Sequence, residues 1–240
     1  LGATDEKAMM LRFHTQTGGA TLTAQQPLNN ITRVTIQTIA AVMGGTQSLH
    51  TNGFDEALGL PTEQAATIAL RTQQIVAFES GIPETADPLA GSYFVENLTD
   101  EVASKALELI QQIDEMGGSV AAIESGWMQQ KISDSAYKYQ KDIESKDKII
   151  VGVNEFISDE NNKIPVFKID ASIQQAQIEK IKALKASRDN AIAQKCLTAI
   201  AEAVNAGQNI MPPVIAAVEA NCTLGEISDV LRNIFGEYQA

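Results

Sequence analysis

The 240-residue chain is 44% hydrophobic with a net charge of −12, enough apolar content for a sizeable core as one large domain or a domain with an appendage. Its 18 basic residues are scattered among 30 acidic ones, and no basic stripe exists to neutralise phosphates, which argues against nucleic acid as a partner. No apolar run approaches the roughly 20 residues that span a bilayer, and no charged-then-apolar leader opens the chain, so no membrane association and a cytoplasmic location are expected.

In chain order, residues 1–8 form a polar lead-in and residues 10–17 read as a strand that Gly18-Gly19 breaks. Pro27 with Asn29 and Asn30 resembles a helix start with Asn as N-cap. Ile31, Val34, Thr38, Ile39 and Val42 then repeat at helical spacing up to Gly44-Gly45. Residues 46–51 are a second short strand. Pro61 and Thr62 open a helix over 63–79, and residues 81–91 are turn-rich. Thr99 is expected to cap a helix running to about Met116, followed by helices over 119–125 and 128–146. KIIVGVN, residues 148–154, reads as a buried third strand. The order strand, helix, strand, helices, strand predicts a parallel sheet with helical crossovers. A polar, acidic loop at 158–163 marks a boundary, and a short extended piece at 166–169 leads into helices over 171–185, 188–206 and 211–220. Thr223 and Glu226 form a capping box for the last helix, which Gly236 stops.

Three strands are too few for a closed barrel, and the first would present an unpaired edge. As an independent fold the sequence looks incomplete. It opens on Leu1, which points to a processed or partial polypeptide.

Polar residues cluster at the ends of the first two runs, where α/β folds build their sites. Arg12, His14 and Gln16 alternate with Phe13 and Thr15 and so share one strand face. They read either as a self-satisfied polar interior or as contacts to an anionic or amide-rich ligand, since a buried arginine without a partner is costly. On the second run His50 and Asn52 share a face and Gln47 sits opposite. Gly18-Gly19 fits no phosphate-loop pattern and suits equally a close approach of backbone to a planar ligand. Asp55 and Glu56 read as a solvated acidic first turn or as ligand contacts. Cys196 and Cys222 read as buried, reduced thiols, and the two histidines and two cysteines have no metal-ligand spacing. No nucleophile–base constellation is visible.

LRFHTQTGG, LTAQQPLNN, GGTQSLHTN, FDEALGLPT, ESGIP with DPLAGSY, DEMGG, IIVGVN, and SRD with TLGEISDVLRNIFGEY closely resemble the large, substrate-binding chain of the methylmalonyl-CoA mutase family, in register over essentially the whole chain. The resemblance implies an isomerase that uses adenosylcobalamin to rearrange the carbon skeleton of acyl-CoA thioesters. It implies a (β/α)8 TIM-type barrel of which this chain supplies the last three strands (residues 1–157), then a helical C-terminal extension (158–240). Gln16, Gly19, Glu56 and Ala57 match positions lining the corrin and adenosyl side, with Glu56 accepting a hydrogen bond from the adenosyl ribose. Arg12, His14 and Gln47 match positions facing the CoA pantetheine and the active cavity.

The departures are equally specific. The family's catalytic tyrosine and histidine, and the arginine that reads the substrate carboxylate, belong to earlier strands, so no catalytic residue is expected in this segment. The Asp-x-His-x-x-Gly cobalamin-ligating motif is absent, because neither histidine has both the preceding Asp and the following Gly. The implied partners are the N-terminal half of the barrel and a separate cobalamin-binding subunit, in a homo- or hetero-oligomer, with the lone segment inactive. Competing expectations are an isobutyryl-CoA-type mutase, a cobalamin-independent (β/α) enzyme of CoA or phosphate ligands, and a non-catalytic fragment that self-associates through its strand edge.

Overall fold

The structure, a computed structural model, describes residues 2–158 and 164–237 and divides into two compact units, Leu1–Lys168 and Ile169–Ala240. The boundary expected after residue 157 lies upstream of that division, and the acidic loop expected at 158–163 falls, past Ser158, outside the described residues.

The first unit opens with a one-turn helix, α1 (Glu6–Met9), in place of the predicted polar lead-in. Asp5 caps it, its carboxylate accepting from the N–H groups of Lys7 (2.7 Å) and Ala8 (3.2 Å). Strands β1 (His14–Gln16) and β2 (Ser48–His50) pair in parallel, with His14 opposite Ser48, Thr15 opposite Leu49 and Gln16 opposite His50. Both are shorter than the runs that predict them. Helix α2 (Asn29–Met43) connects them, as a parallel pair requires.

Asn30, Val34 and Thr38, four residues apart on α2, are its buried stripe. It packs on helix α3 (Glu63–Glu79), which buries Ala65, Ala69, Thr72 and Val76. Burying a side chain such as Val34 contributes about 2 kcal/mol. The buried hydroxyls of Thr38 and Thr72 donate to the carbonyls of Val34 (2.8 Å) and Ile68 (3.0 Å), so neither leaves an unmet polar group.

Asparagine does not cap α2. Leu28 precedes its first turn with no side-chain cap, and the turn carbonyls of Gln26 and Pro27 take the N–H groups of Asn29 and Asn30. Asn30 is instead a buried hub. Its Nδ2 donates to the carbonyls of Thr23 (2.9 Å) and Phe54 (2.8 Å), and its Oδ1 accepts from Thr23 N (3.1 Å) and Arg33 Nη1 (2.7 Å). All its hydrogen-bonding capacity is used inside the protein.

Helix α4 (Tyr93–Glu115) starts earlier than predicted, with Ser92 as N-cap. Thr99 lies within it and donates to the Val95 carbonyl (2.8 Å). None of its 23 residues is buried. Helices α5 (Ser119–Glu124) and α6 (Trp127–Glu144) follow as expected.

The predicted third strand is not formed. Residues 148–154 make a turn whose only ladder element is an isolated bridge between Val151 and Glu155. Gly152 has φ +81°, outside the β region, and Val153 N bonds back to the Ile150 carbonyl (3.0 Å). Asn154 fills the turn, accepting from Ile150 N (2.7 Å) and donating to the carbonyls of Ile143 (2.8 Å) and Lys148 (2.7 Å). These local bonds displace the ladder. Ile149 and Val151 are consequently exposed. The described residues are thus mostly helical, with one two-stranded parallel sheet.

Among the described residues the second unit is four helices: α7 (Ala171–Ser187), α8 (Asn190–Asn205), α9 (Met211–Glu219) and α10 (Leu224–Phe235). The short extended piece expected at 166–169 forms no strand. The core joins Ala193, Leu197, Ile200, Ala217, Cys222 and Ile227. Asp189 caps α8, and the Thr223–Glu226 capping box opens α10 as predicted. Glu226 also takes a two-pronged hydrogen bond from Arg188 (2.7 and 2.6 Å). That guanidinium, aided by Thr223 and opposed by burial, holds the Glu226 carboxyl well below the usual carboxylate range. Burial pushes the Cys222 thiol up, in keeping with an inert thiol.

Candidate functional site at the strand tips

Parallel register puts His14, Gln16, Ser48 and His50 on one exposed face of the sheet, while Thr15 and Leu49 lie half-buried on the other. The shared face of His14 and Gln16 is therefore present, and Ser48 joins it, bonded to His14 Nδ1 (2.7 Å). Arg12 precedes β1 and is exposed, so no desolvation cost acts on it in this chain.

Gln47 stands at the entry to the strands. Its Oε1 accepts from Phe13 N (2.8 Å), its own N–H donates to the Phe13 carbonyl (3.3 Å), and its Nε2 donates to Gly45 O (2.6 Å). It staples the two strands where they begin. Arg12 and Gln47 thus mark one end of the sheet.

The other end is a hydrogen-bonded train. Thr17 N–H donates to the His50 carbonyl (3.0 Å), Thr17 Oγ1 donates to Asn52 Oδ1 (2.5 Å), and Asn52 N donates back to Thr17 Oγ1 (2.9 Å). Asn52 Nδ2 then donates to Glu56 Oε2, and Gly53 N to Glu56 Oε1, both at 2.5 Å. Thr17 and Asn52 are buried, Glu56 is half-buried and Ala57 is exposed. Asn52 therefore leaves the exposed face on which His50 lies, contrary to simple alternation, because the chain has left β2 and turned inward to meet Thr17.

Gly19 sits against this train, with a notional Cβ 3.4 Å from Asn52 Nδ2. Its turn is pinned to α2 through Gln37, whose Oε1 accepts from Gly18 N and whose Nε2 donates to Thr21 Oγ1, both at 2.6 Å. The structure thereby gathers Gln16, Gly19, Glu56 and Ala57 at the C-terminal tips. Of these, Gln16 alone shares a sheet face with His14, and Arg12 and Gln47 stand at the opposite end.

Asp55 is not a solvated first-turn acid. It is 2% exposed, and its Oδ2 accepts from both the N–H (2.9 Å) and the hydroxyl (2.8 Å) of Thr62, the N-cap of α3. Sequence reasoning missed this, and it missed the Asn30 hub. For Asn30 a signal exists: a polar residue four before Val34 on the apolar stripe of α2 is a candidate buried polar group. For Asp55 the only signal is its closeness in sequence to the helix start at Thr62.

Among the described residues no group of three or more His, Cys, Asp or Glu could hold a metal ion, and no helix is long and apolar enough to cross a membrane.

Comparison with known proteins adds a family. The family model described as Methylmalonyl-CoA mutase matches residues 1–237. The chain is 47% identical to the mitochondrial methylmalonyl-CoA mutase of Mus musculus, over 98% of this chain and 32% of that protein. It is 44% identical to the methylmalonyl-CoA mutase of Escherichia coli (strain K12), over 99% of this chain and 33% of that protein. It is 43% identical to the 2-hydroxyisobutanoyl-CoA mutase large subunit of Aquincola tertiaricarbonis, over 99% of this chain and 43% of that protein. The chain spans about a third of the length of the mouse and E. coli relatives.

Proposed function

The chain belongs to the methylmalonyl-CoA mutase family, and from that premise we propose that it is the later part of the (β/α)8 barrel of an adenosylcobalamin-dependent acyl-CoA mutase. The reaction proposed for the assembled enzyme is the interconversion of methylmalonyl-CoA and succinyl-CoA. The N-terminal half of the barrel and a cobalamin-binding subunit would complete the site, in a homo- or hetero-oligomer. The observation that supports this most is the convergence of Gln16, Gly19 and Glu56 on the tips of β1 and β2, joined by the Thr17–Asn52–Glu56 train.

The donor set suits the cofactor. Each Glu56 oxygen takes one internal N–H and keeps a second lone pair, which the two hydroxyls of a ribose can fill. The exposed amide of Gln16 and imidazoles of His14 and His50 suit a macrocycle fringed with amides. Gly19 and Ala57 offer no bulk to hold a flat face away. When bound, adenosylcobalamin supplies the carbon radical that takes a hydrogen from substrate.

This chain's own contribution is binding and enclosure. Glu56 orients the adenosyl group, Gln16 and Gly19 seat the corrin, and Arg12, His14 and Gln47 face the pantetheine arm. Gln47 is already committed to Phe13 and Gly45, so it would offer only its remaining lone pair and N–H. Enclosure matters because a carbon radical must be kept from water and side reactions.

Mixing the chain with the matching N-terminal barrel segment and the cobalamin-binding subunit tests the reading. Isomerisation of methylmalonyl-CoA is expected only in the full mixture with adenosylcobalamin. Turnover without the cofactor, or by the chain alone, overturns it. Likeness to the A. tertiaricarbonis subunit favours running 2-hydroxyisobutanoyl-CoA as a second substrate, with isobutyryl-CoA as a third.

A further inference from the structure

We propose that Asp55 is a positioning residue: by clasping the start of α3 it presets the carboxylate of Glu56 for the adenosyl group. The inference rests on the cofactor reading of Glu56 given above, and it adds a residue that does not itself touch the ligand.

Asp55 is adjacent to Glu56 and as deeply buried as any charged side chain among the described residues. Its two oxygens have unlike surroundings. Oδ2 accepts two hydrogen bonds from Thr62, and Thr62 Oγ1 in turn accepts from Ala65 N (3.3 Å), which fastens the loop to the first turn of α3. Oδ1 is buried with no hydrogen-bond partner. A buried acceptor left unmet is costly, so the carboxylate is not explained by the stability of this loop alone.

The loop between them is closed from several sides. The Asp55 carbonyl accepts from Leu58 N (2.8 Å) and Gly59 N (3.2 Å). Gly53, whose N–H donates to Glu56, is packed so that an added Cβ would stand 3.1 Å from Asp55 Oδ1, 3.2 Å from Pro61 Cβ and 3.3 Å from Ala65 Cβ. Gly53 is therefore wedged between the Asp55 carboxylate and α3 on one side and the Glu56 carboxylate on the other. Loss of the Asp55–Thr62 clasp frees this wedge, and with it the N–H that aims Glu56. Pre-organisation of a binding group by its supporting residues is what such a clasp would provide.

A double-mutant cycle in the assembled mutase tests this, read as the equilibrium binding of adenosylcobalamin by absorbance, with thermal melting as the control for folding. Glu56→Gln is expected to weaken binding about tenfold, Asp55→Ala to weaken it by a similar factor, and the double variant to be no weaker than Glu56→Gln alone. Asp55→Asn, which keeps an acceptor for Thr62, should restore binding to within about threefold of the parent. Additive losses, or a loss with Asp55→Ala that tracks its melting temperature in both backgrounds, reduce Asp55 to a structural cap and overturn the inference. If Glu56→Gln leaves binding unchanged, the cofactor reading of Glu56 falls and the role of Asp55 falls with it. If Asp55→Ala does not assemble, Thr62→Val replaces it in the same cycle, with the same non-additivity expected and additivity again overturning the idea.

Discussion

Glu226 shows how much one carboxylate can bind together. It closes the capping box of α10, accepts both prongs of Arg188, and lies 3.4 Å from Lys185 Nζ. Its folded-state value lies far below its ordinary 4.5, so the folded protein binds the proton less readily than the unfolded chain. The stabilisation is therefore complete above pH 4.5, and it drains away as pH falls from there towards the folded-state value. Amide protection factors along α10, which correct for the intrinsic pH dependence of exchange, are expected to fall in that acid window, and Arg188→Leu should flatten the dependence. Asp170 and Glu155, also lowered, leave a residual slope of the same sign. An unchanged acid profile in Arg188→Leu would show that another group sets it. The capping box is legible in the sequence because its partners are three residues apart. Arg188 is not, because it is 38 residues away. Asp55 fails for the same reason: its burial depends on Gly53, Pro61 and Ala65 meeting in space.

At the scale of elements, the capped helices and the first two strands are legible, though the strands come out shorter, and the third strand is not. Helices α3, α8 and α10 carry their own caps and a repeating apolar face, so local chemistry decides them. An apolar run such as KIIVGVN satisfies a strand pattern equally well as a turn packed on a neighbour, and Gly152 decides between them. An added Cβ at Gly152 would lie 2.9 Å from Gln26 Cδ, at φ +81°. Gln26 is committed there, its Nε2 donating to Phe156 O (2.9 Å) and Ser158 Oγ (3.2 Å). Gly152→Ala is expected to cost about 1–3 kcal/mol through strain and the displaced glutamine. Denaturant unfolding of the 240-residue chain measures it, and a cost under a few tenths would mean the turn relaxes freely. The α2–Val151 link, Arg33 Nη2 to the Val151 carbonyl (2.8 Å), should survive that substitution because it uses main chain.

For the whole molecule, the mismatch is between apolar content and burial. Helix α4 buries none of its residues, and Tyr93, Phe94, Val102 and Ile110 are all more than half exposed. A surface of that kind on a single chain marks an interface. The outer edge of β1 likewise has no strand beside it among the described residues. The lone chain is therefore expected to elute from size exclusion as a species heavier than its 25.8 kDa monomer. A sharp monomer peak would count against the need for a covering partner. The unpaired edge of β1 was readable from the shortage of strands. That α4 is among the helices left bare was not, since it is as amphipathic in sequence as α2, which does bury a face.

The Thr17–Asn52–Glu56 train has one more consequence, for how the protein ages. Asparagine followed by glycine is prone to cyclise, the glycine nitrogen attacking the side-chain amide carbon and expelling ammonia, because no Cβ hinders the approach. Here that nitrogen, on Gly53, and the amide it would attack, on Asn52, are both engaged by the same carboxylate in the protein interior. Hydrolysis of the ring would leave a second negative charge facing Glu56. Isoaspartate at position 52 is thus expected to accumulate in chains stored in denaturant and to stay low in folded ones, as read by peptide mapping. Equal rates in both would mean that folding gives this dipeptide no shelter.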